Sequence, residues 1–437
     1  MKKVLPAFLI VIMAVIRLSA GEVRQLTLDN GMVVILKENH STPMVSSIVC
    51  VRAGSKFEDE SNNGFTHFLE HLLFDGTKNL DRIELNEGFK DHGGYINAFT
   101  QKDLTGYLFV IPSEFAEYAL KTQADQLFDS TLPESEFPKE RKIVIEEIKK
   151  DTDDPDYIAD TFFDSLIYRG TAYARPVLGH EDVISTIPRE KVLAYYKERY
   201  VPNNMIALFI GDFKMDEFAK LVDKYYGAPP AGKLPHIDAR FNPSPPYGNK
   251  IYSTEYPGKT TKIHIVFPAP MYNEADYYAF DMLTQILDSG ESSPLYKALA
   301  GGDQPLVDDM SIYLESTSDF SLLHFTASTN NPENVRRIVM LTDRALSSLS
   351  EMPLKKDQLR RIVVKNKTDK IYLEEKLHYY GILQAPMLVN FGFGYIQSYV
   401  DNLSRVEPKN IRETARKYFA GKKYLAMAVI PSSPEEN

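Results

Sequence analysis

The chain has 437 residues, 43% of them hydrophobic and 25% charged, the balance of a folded globular protein with room for two or three domains. Its formal net charge of −10 argues against nucleic acid as a partner. Beyond the first 20 residues no apolar run is long enough to cross a bilayer.

The N-terminus reads as a targeting segment rather than as fold. Lys2-Lys3 forms a basic start, Val4 to Ile16 is an apolar stretch of 13 residues, and Leu18-Ser19-Ala20 ends in small residues. This is the pattern of a secretory signal peptide, residues 1–20, cut after Ala20. An uncleaved anchor is the alternative, with Arg17 interrupting the end of its apolar run. Cleavage would remove Lys2, Lys3 and Arg17 and no acid, taking the net charge from −10 to −13. It would place the mature chain outside the cytoplasm, periplasmic or extracellular. No cysteine follows the site to carry a lipid. The only cysteine, Cys50, cannot form an internal disulfide and is expected to pack as a small hydrophobe.

Val23 to Lys37 reads as two strands around the turn Asp29-Asn30-Gly31. Met44 to Ala53 is a further strand, and Ser61 to Asn79 holds a helical run. A helix follows over Ile83 to His92, ended by Gly93-Gly94. Tyr95 to Thr100 and Thr105 to Ile111 read as paired strands around Gln101-Lys102-Asp103. Helices are expected over Ser113–Asp129, Pro133–Asp153, Tyr157–Tyr168 and Pro188–Tyr200, with a loop over Tyr173–Gly179 and a strand over Met205–Gly211.

Gly227 to Gly248 holds six prolines and little periodic apolar pattern, which marks a linker. The division is then 21–227 for the first domain, 228–249 for the linker and 250–437 for the second. The second half repeats the first in weaker form. The strand Lys262–Phe267 precedes a helix over Tyr277–Leu287, and FDMLTQILDSG slides onto THFLEHLLFDG with apolar positions and closing glycine matched. Asp281, Thr284 and Gln285 then stand where the first half has His67, Glu70 and His71. Late in each half a Tyr-containing helix end leads into a strand, here Tyr424 to Ile430. A loose match between any two α+β halves is the alternative. The expected fold class is α+β: two homologous domains, each an antiparallel-rich sheet with helices packed on one side.

The first half carries the chemistry. His67 and His71 are spaced i, i+4 and share one helical face with Glu70, while Phe65, Phe68, Leu69, Leu72 and Leu73 would face a core. One such histidine would be an ordinary hydrogen-bonded core residue. Two with a glutamate at this spacing would be costly to bury without partners. Zinc takes neutral imidazole and, in catalytic sites, keeps a position open for water, whose proton the nearby carboxylate can accept. Two histidines leave zinc one protein ligand short. The helix Glu140-Arg-Lys-Ile-Val-Ile-Glu-Glu147 offers candidates, and periodicity alone leaves both Glu146 and Glu147 open.

The order His67-x-x-Glu70-His71 inverts the commoner HExxH, and the chain resembles the pitrilysin/insulinase family of zinc peptidases. It is most similar to the half-size members that resemble mitochondrial processing peptidase subunits. The family's glutamate ligand follows the motif by about 76 residues in a segment E-R-x-V-x-x-x-E, and ERKIVIEE ends at Glu147 with Ile143 where valine is usual. GSKFED at 54–59, FDGTKN at 74–79, GGYINAFTQKDLTGY at 93–107 and RPVLGHEDVI at 175–184 add to the likeness, which is strongest over 28–215 and weakens after 250.

The resemblance implies one zinc per chain held by His67, His71 and Glu147, with Glu70 as general base and Glu140 orienting a ligand. It implies a peptide substrate docked on the edge strand at Asn97, Ala98 and Phe99. The net charge and the apolar runs, for their part, lead to the expectation of no nucleic acid and no stable membrane span after signal cleavage. In the family the second half supplies an arginine after S-x-P-x-x-x-x-L and a tyrosine seven residues later. Ser292–Leu299 matches that segment, but the two positions hold Ala300 and Val307. The expectation is therefore a zinc endopeptidase acting as the catalytic subunit of a heteromer, with a homologous subunit lacking HxxEH supplying Arg and Tyr. A homo-oligomer using other residues is the alternative for the partner. A non-catalytic scaffold subunit, or a zinc-dependent binding protein without turnover, are the alternatives for the function.

Overall fold

The computed structural model describes residues 23–237, 239–248 and 250–432, so the signal peptide expected over 1–20 lies outside the described residues. Strands β1 (Val23–Thr27) and β2 (Val33–Glu38) form the expected hairpin, with Val23 opposite Lys37. Its turn is closed by Gly31 in a left-handed conformation (φ 85°), which a side chain would strain. They join β3 (Met44–Val51), β4 (Tyr95–Thr100), β5 (Thr105–Pro112) and β6 (Met205–Gly211) in a sheet of order β1-β2-β6-β3-β5-β4. Only β2 and β6 run parallel.

A second sheet holds β7 (Ile251–Tyr256), β8 (Thr261–Pro268), β9 (Asp309–Ser316), β10 (Ser321–Thr329) and β11 (Leu425–Pro431) in the order β7-β11-β8-β10-β9. This order and these strand senses reproduce β2-β6-β3-β5-β4, including the single parallel pair, here β7 with β11. The two halves are thus repeats of one α+β unit, and each sheet is mixed rather than purely antiparallel.

Side chains alternate across a strand, so a sheet covered on both faces divides its residues between two cores. Val45, Val49, Tyr107, Phe109, Ala207 and Phe209 join the core beneath the first half's own helices. Ile48, Cys50, Leu108, Ile206, Leu208 and Ile210 point the other way, onto Leu377, Tyr380, Ala385 and Leu388 of the helix Leu377–Phe391 from the second half. The second sheet receives the reciprocal contribution. Ala159, Phe163 and Ile167 of the helix Pro155–Ile167 pack on Val266, Leu322, Leu425 and Met427. Each half therefore keeps its own helices on one face and lends one helix to the far face of the other. The single-sided packing read from the sequence holds within each half, and the exchanged helices complete the second face.

Two features lock the halves together. Buried Lys56 bonds to Asp103, to Tyr173 Oη at 2.9 Å and to Asp319 Oδ2 at 2.8 Å, and Asp319 comes from the β9–β10 turn. The proline-rich segment is pinned rather than loose: Gly232 N–H donates to Asn203 at 2.8 Å, Arg240 O accepts from Ala172 N–H at 2.8 Å, and Phe241 and Tyr247 pack into the core between the halves. The helix expected over Pro133–Asp153 begins at Phe137, after Leu132 adopts φ 44° ahead of Pro133. The helix Met215–Tyr226, with Met215, Phe218, Val222 and Tyr226 buried on one face, was not anticipated from the sequence. Among the described residues no helix is long and apolar enough to cross a membrane.

Candidate metal centre

The motif helix, Phe65–Leu72, starts from Gly64 (φ 98°), whose Cα side lies against Gly179. A Cβ on Gly64 would sit 2.8 Å from both Gly179 Cα and Leu178 O, so only glycine lets the 175–184 loop close over the helix start. The free amides of the first turn are met by a side chain outside the helix. The Glu58 carboxylate accepts from Gly64 N–H at 2.8 Å, Thr66 N–H at 2.7 Å, Thr66 Oγ1 at 2.6 Å and Asn63 Nδ2 at 2.9 Å. Burial raises the Glu58 pKa, and these hydrogen bonds oppose the rise.

One turn apart, the His67 and His71 rings lie with centroids 4.9 Å apart. The helix Phe137–Thr152 crosses beside them and presents Glu147, whose Oε2 is 3.7 Å from His67 Nε2 and 3.5 Å from His71 Nε2. Donor atoms about 2.1 Å from a tetrahedral zinc stand roughly 3.3 Å from one another, so this spacing and this two-nitrogen, one-carboxylate set fit the ion. Among the described residues it is the one group of three or more His, Cys, Asp or Glu side chains disposed to hold a metal. Glu146, the residue that periodicity could not separate from Glu147, points outward and pairs with Lys149 at 3.5 Å.

Burial, with His71 adding to it, lowers the His67 pKa to about 3, so this imidazole stays neutral and available as a ligand. Burial also pulls His71 down, but the Glu140 contact and the Glu147 and Glu70 charges outweigh it and leave its pKa above the ordinary value. Glu140 Oε2 lies 3.4 Å from His71 Nδ1, which directs the ring proton to Nδ1 and leaves the Nε2 lone pair facing Glu147. Its other oxygen accepts from Arg82 Nη1 at 3.0 Å, and Arg82 also reaches Asp75 at 3.1 Å. Contact with His71 first, then Arg82, keeps Glu140 below the usual carboxylate range against its burial. Asp75 is pushed up to about 7 by burial and by Glu140.

Glu70 stands beside the histidines with a pKa raised by burial, and Thr100 Oγ1 donates to its Oε2 at 2.6 Å. A cavity of about 520 Å3 opens next to Glu70 and His71, walled by Phe74, Arg82, Lys90 and Asn97 among others. Asn97 is exposed there and donates to Tyr95 Oη at 2.7 Å. Ala98 is buried in the first core, and Phe99 turns to the opposite face of the sheet, so beside Asn97 the edge offers backbone at those two positions. Glu58, Thr100, Arg82 and Asp75 were not singled out from the sequence. Glu58 lies six residues before the amide of Gly64, outside the usual three-residue capping spacing, and Thr100 reaches the motif only through the sheet.

Two models of one family match the chain: Insulinase (Peptidase family M16) over residues 33–181 and Peptidase M16 inactive domain over residues 186–365. The chain is 34% identical over 206 residues to the uncharacterized zinc protease YmxG of Bacillus subtilis (strain 168), covering 47% of this chain and 50% of that protein. It is 28% identical over 263 residues to the probable mitochondrial-processing peptidase subunit beta of Schizosaccharomyces pombe, covering 60% of this chain and 58% of that one. The matches thus span little more than half the length of these relatives. In structure it is similar to a protease from Helicobacter pylori, with TM-score 0.83 and 24% identity over 94% of this chain and 100% of the other. All of the metal group falls within the first family match and the second half begins within the other, and the chain belongs to the peptidase M16 (insulinase) family.

Proposed function

We propose that this protein is a zinc-dependent endopeptidase that hydrolyses peptides or unfolded segments, and that it is the metal-bearing subunit of a heteromer with a homologous partner. The observation that carries the reading is the convergence of His67, His71 and Glu147 with Glu70 beside them. Zinc, when bound by those three residues, supplies a Lewis acid for the scissile carbonyl and for the attacking water.

Glu70 takes the proton from that water and hands it to the leaving amine. Its raised proton affinity suits a group that must both accept and return a proton. Thr100 occupies Oε2, so the other oxygen is free for the transfer. Glu140, itself held by Arg82, fixes the His71 ring. The β4 strand ends its sheet, and its outer backbone groups can pair with an extended peptide.

The partner reading rests on what the second half lacks. Val307 is buried in the second core, and Ala300 lines a separate cavity of about 220 Å3. The cavity beside Glu70 is lined by first-half residues. Its Arg82 is already engaged by Glu136 and Glu140, and Lys90 by Glu87. Two strong donors to a developing oxyanion are therefore sought from another chain, and loss of one such donor alone costs about a hundredfold in rate. The name of the fission-yeast relative marks it as a subunit. Export through residues 1–20 belongs to the same proposal, and N-terminal sequencing from the native host should then begin near Gly21.

The test is zinc content together with cleavage of an unstructured peptide, by the wild-type chain and by Glu70→Gln, each with and without a homologous chain lacking HxxEH. One zinc per chain and Glu70-dependent cleavage only in the mixture are expected. Full cleavage by the lone chain removes the partner. Cleavage unaffected by Glu70→Gln, or zinc retained after His67→Ala and His71→Ala, removes the mechanism.

A further inference from the structure

The two faces of the β4 edge are unequal. Thr100 bonds to Glu70 and Ala98 sits in the core beside the motif helix, so Ile96, Ala98 and Thr100 belong to the metal side. Asn97, exposed at the edge, both borders the cavity beside Glu70 and reaches Tyr95, while Tyr95 and Phe99 belong to the other side. There the second half's helix Leu377–Phe391 brings its first turn to the strand: the His378 ring lies 4.6 Å from Tyr95, centroid to centroid, and Tyr379 lies 5.0 Å from His378. Tyr95 is 41% exposed and Tyr379 54%, so the trio presents open ring surface although its members touch one another. The Asn97 amide holds the Tyr95 hydroxyl, which fixes where that ring stands.

We infer that Tyr95, His378 and Tyr379 form a subsite that receives an aromatic or large apolar side chain of the peptide docked along β4. This rests on the reading of β4 as the docking edge. In an added strand each residue projects to the same face as the residue it pairs with, so peptide residues opposite Ala98 and Thr100 face the metal side and the one opposite Tyr95 faces the ring trio. The selected side chain lies about three residues, or roughly 10 Å, along the strand from the one opposite Ala98. Rings prefer partners at centroid separations of about 4.5–7 Å, in tilted or edge arrangements, and the exposed ring surfaces of Tyr95 and Tyr379 are open to such a partner. Among the described residues no carboxylate bonds to any of the three, so the rings themselves are the contact that the subsite offers.

The subsite joins residues of both halves, 95 from the catalytic sheet and 378–379 from the domain without metal. It gives the second half a share in specificity although it holds none of the metal ligands.

The experiment uses the full chain, with its partner if cleavage needs one. Binding to the Glu70→Gln form is followed by fluorescence anisotropy with one unstructured peptide carrying Phe, Gly or Lys at each of several positions on either side of the cleaved bond. Phe over Gly at one of these positions should tighten binding by about tenfold. Tyr95→Ser and Tyr379→Ser should each bring that ratio toward one, Tyr379→Phe should keep it, and Met340→Ser, exposed on a remote helix, should not change it. In the wild type the same ratio should appear in kcat/KM. An unchanged ratio in Tyr95→Ser and Tyr379→Ser, a preference for Lys over Phe, or altered self-association with the ratio intact overturns the subsite. A chain that binds with the expected ratio but cleaves nothing overturns the peptidase reading and leaves the subsite standing. Cleavage without any ratio overturns the subsite alone.

Discussion

The Thr100 hydroxyl donates to Glu70 Oε2 at 2.6 Å, tying the end of an edge strand to the motif helix. Thr105 Oγ1 gives its own proton to Ala53 O at 3.1 Å, and the one Thr100 proton goes to the nearby carboxylate rather than to Thr105 Oγ1, which lies farther off at 3.4 Å. Thr100→Val should therefore lower kcat about tenfold with KM little changed and zinc retained, because it frees the Glu70 carboxylate to turn. Thr100→Ser should restore most of the rate. Steady-state kinetics with parallel metal analysis decides it, and zinc loss in Thr100→Val would place the hydroxyl in metal retention instead.

His67→Ala and His71→Ala should each abolish stoichiometric zinc, measured by elemental analysis after gel filtration. Glu70→Gln should keep the zinc and the fold and lower turnover by at least about a hundredfold, since it removes only the proton acceptor. Glu140→Gln should weaken zinc affinity by roughly 10–100-fold, because His71 loses the carboxylate behind its Nδ1.

Acid should weaken the protein through a histidine far from the metal group. His264 Nε2 meets His324 Nδ1 at 2.9 Å beneath the helix Pro155–Ile167, and burial, with His324 adding to it, lowers the His264 pKa to about 3. An unfolded histidine titrates near 6.5. The unfolded chain thus binds the extra proton between these values, so the contribution is fully present above about pH 6.5 and is lost as pH falls toward 3. For this group the loss from pH 7 to pH 5 is about 2 kcal/mol. Thermal melts of metal-free wild type and His264→Gln across pH 5–8 should show a shallower fall in Tm for the variant below pH 6.5.

Lys56→Met should destabilise the protein by about 3 kcal/mol. The substitution keeps the length of the side chain but leaves Asp103 and Asp319 facing each other across the two halves without their cation. Asp319→Asn in the same background should recover part of the loss. Denaturant midpoints of the three proteins test this, and equal midpoints would show that water replaces the ammonium.

Much of the candidate metal centre was legible in the residues themselves. The i, i+3, i+4 spacing of His67, Glu70 and His71 is a property of the helix alone, because 3.6 residues per turn brings those side chains to one face whatever the helix packs on. The Asp29-Asn30-Gly31 hairpin and the alternation of β5 are likewise local, and the repeat of FDMLTQILDSG on THFLEHLLFDG showed in the apolar pattern before the matching sheets did. Glu147 was different: neighbouring residues on a helix differ by 100° in direction, and which of Glu146 and Glu147 meets the histidines depends on how the helix Phe137–Thr152 crosses the motif helix.

Only the tertiary structure decided the rest. Glu58 caps a helix that begins several residues later, Thr100 reaches Glu70 across 30 positions, and Lys56 joins Asp103 to Asp319 across 216. The exchange of the helices Pro155–Ile167 and Leu377–Phe391 between the sheets leaves no mark in either segment, because an apolar stripe specifies that a face will be buried and not which sheet will bury it. The sequence determined the chemistry that one helical face can carry; the packing of distant segments decided which other side chains that face meets, since those contacts are set by long-range burial rather than by local periodicity.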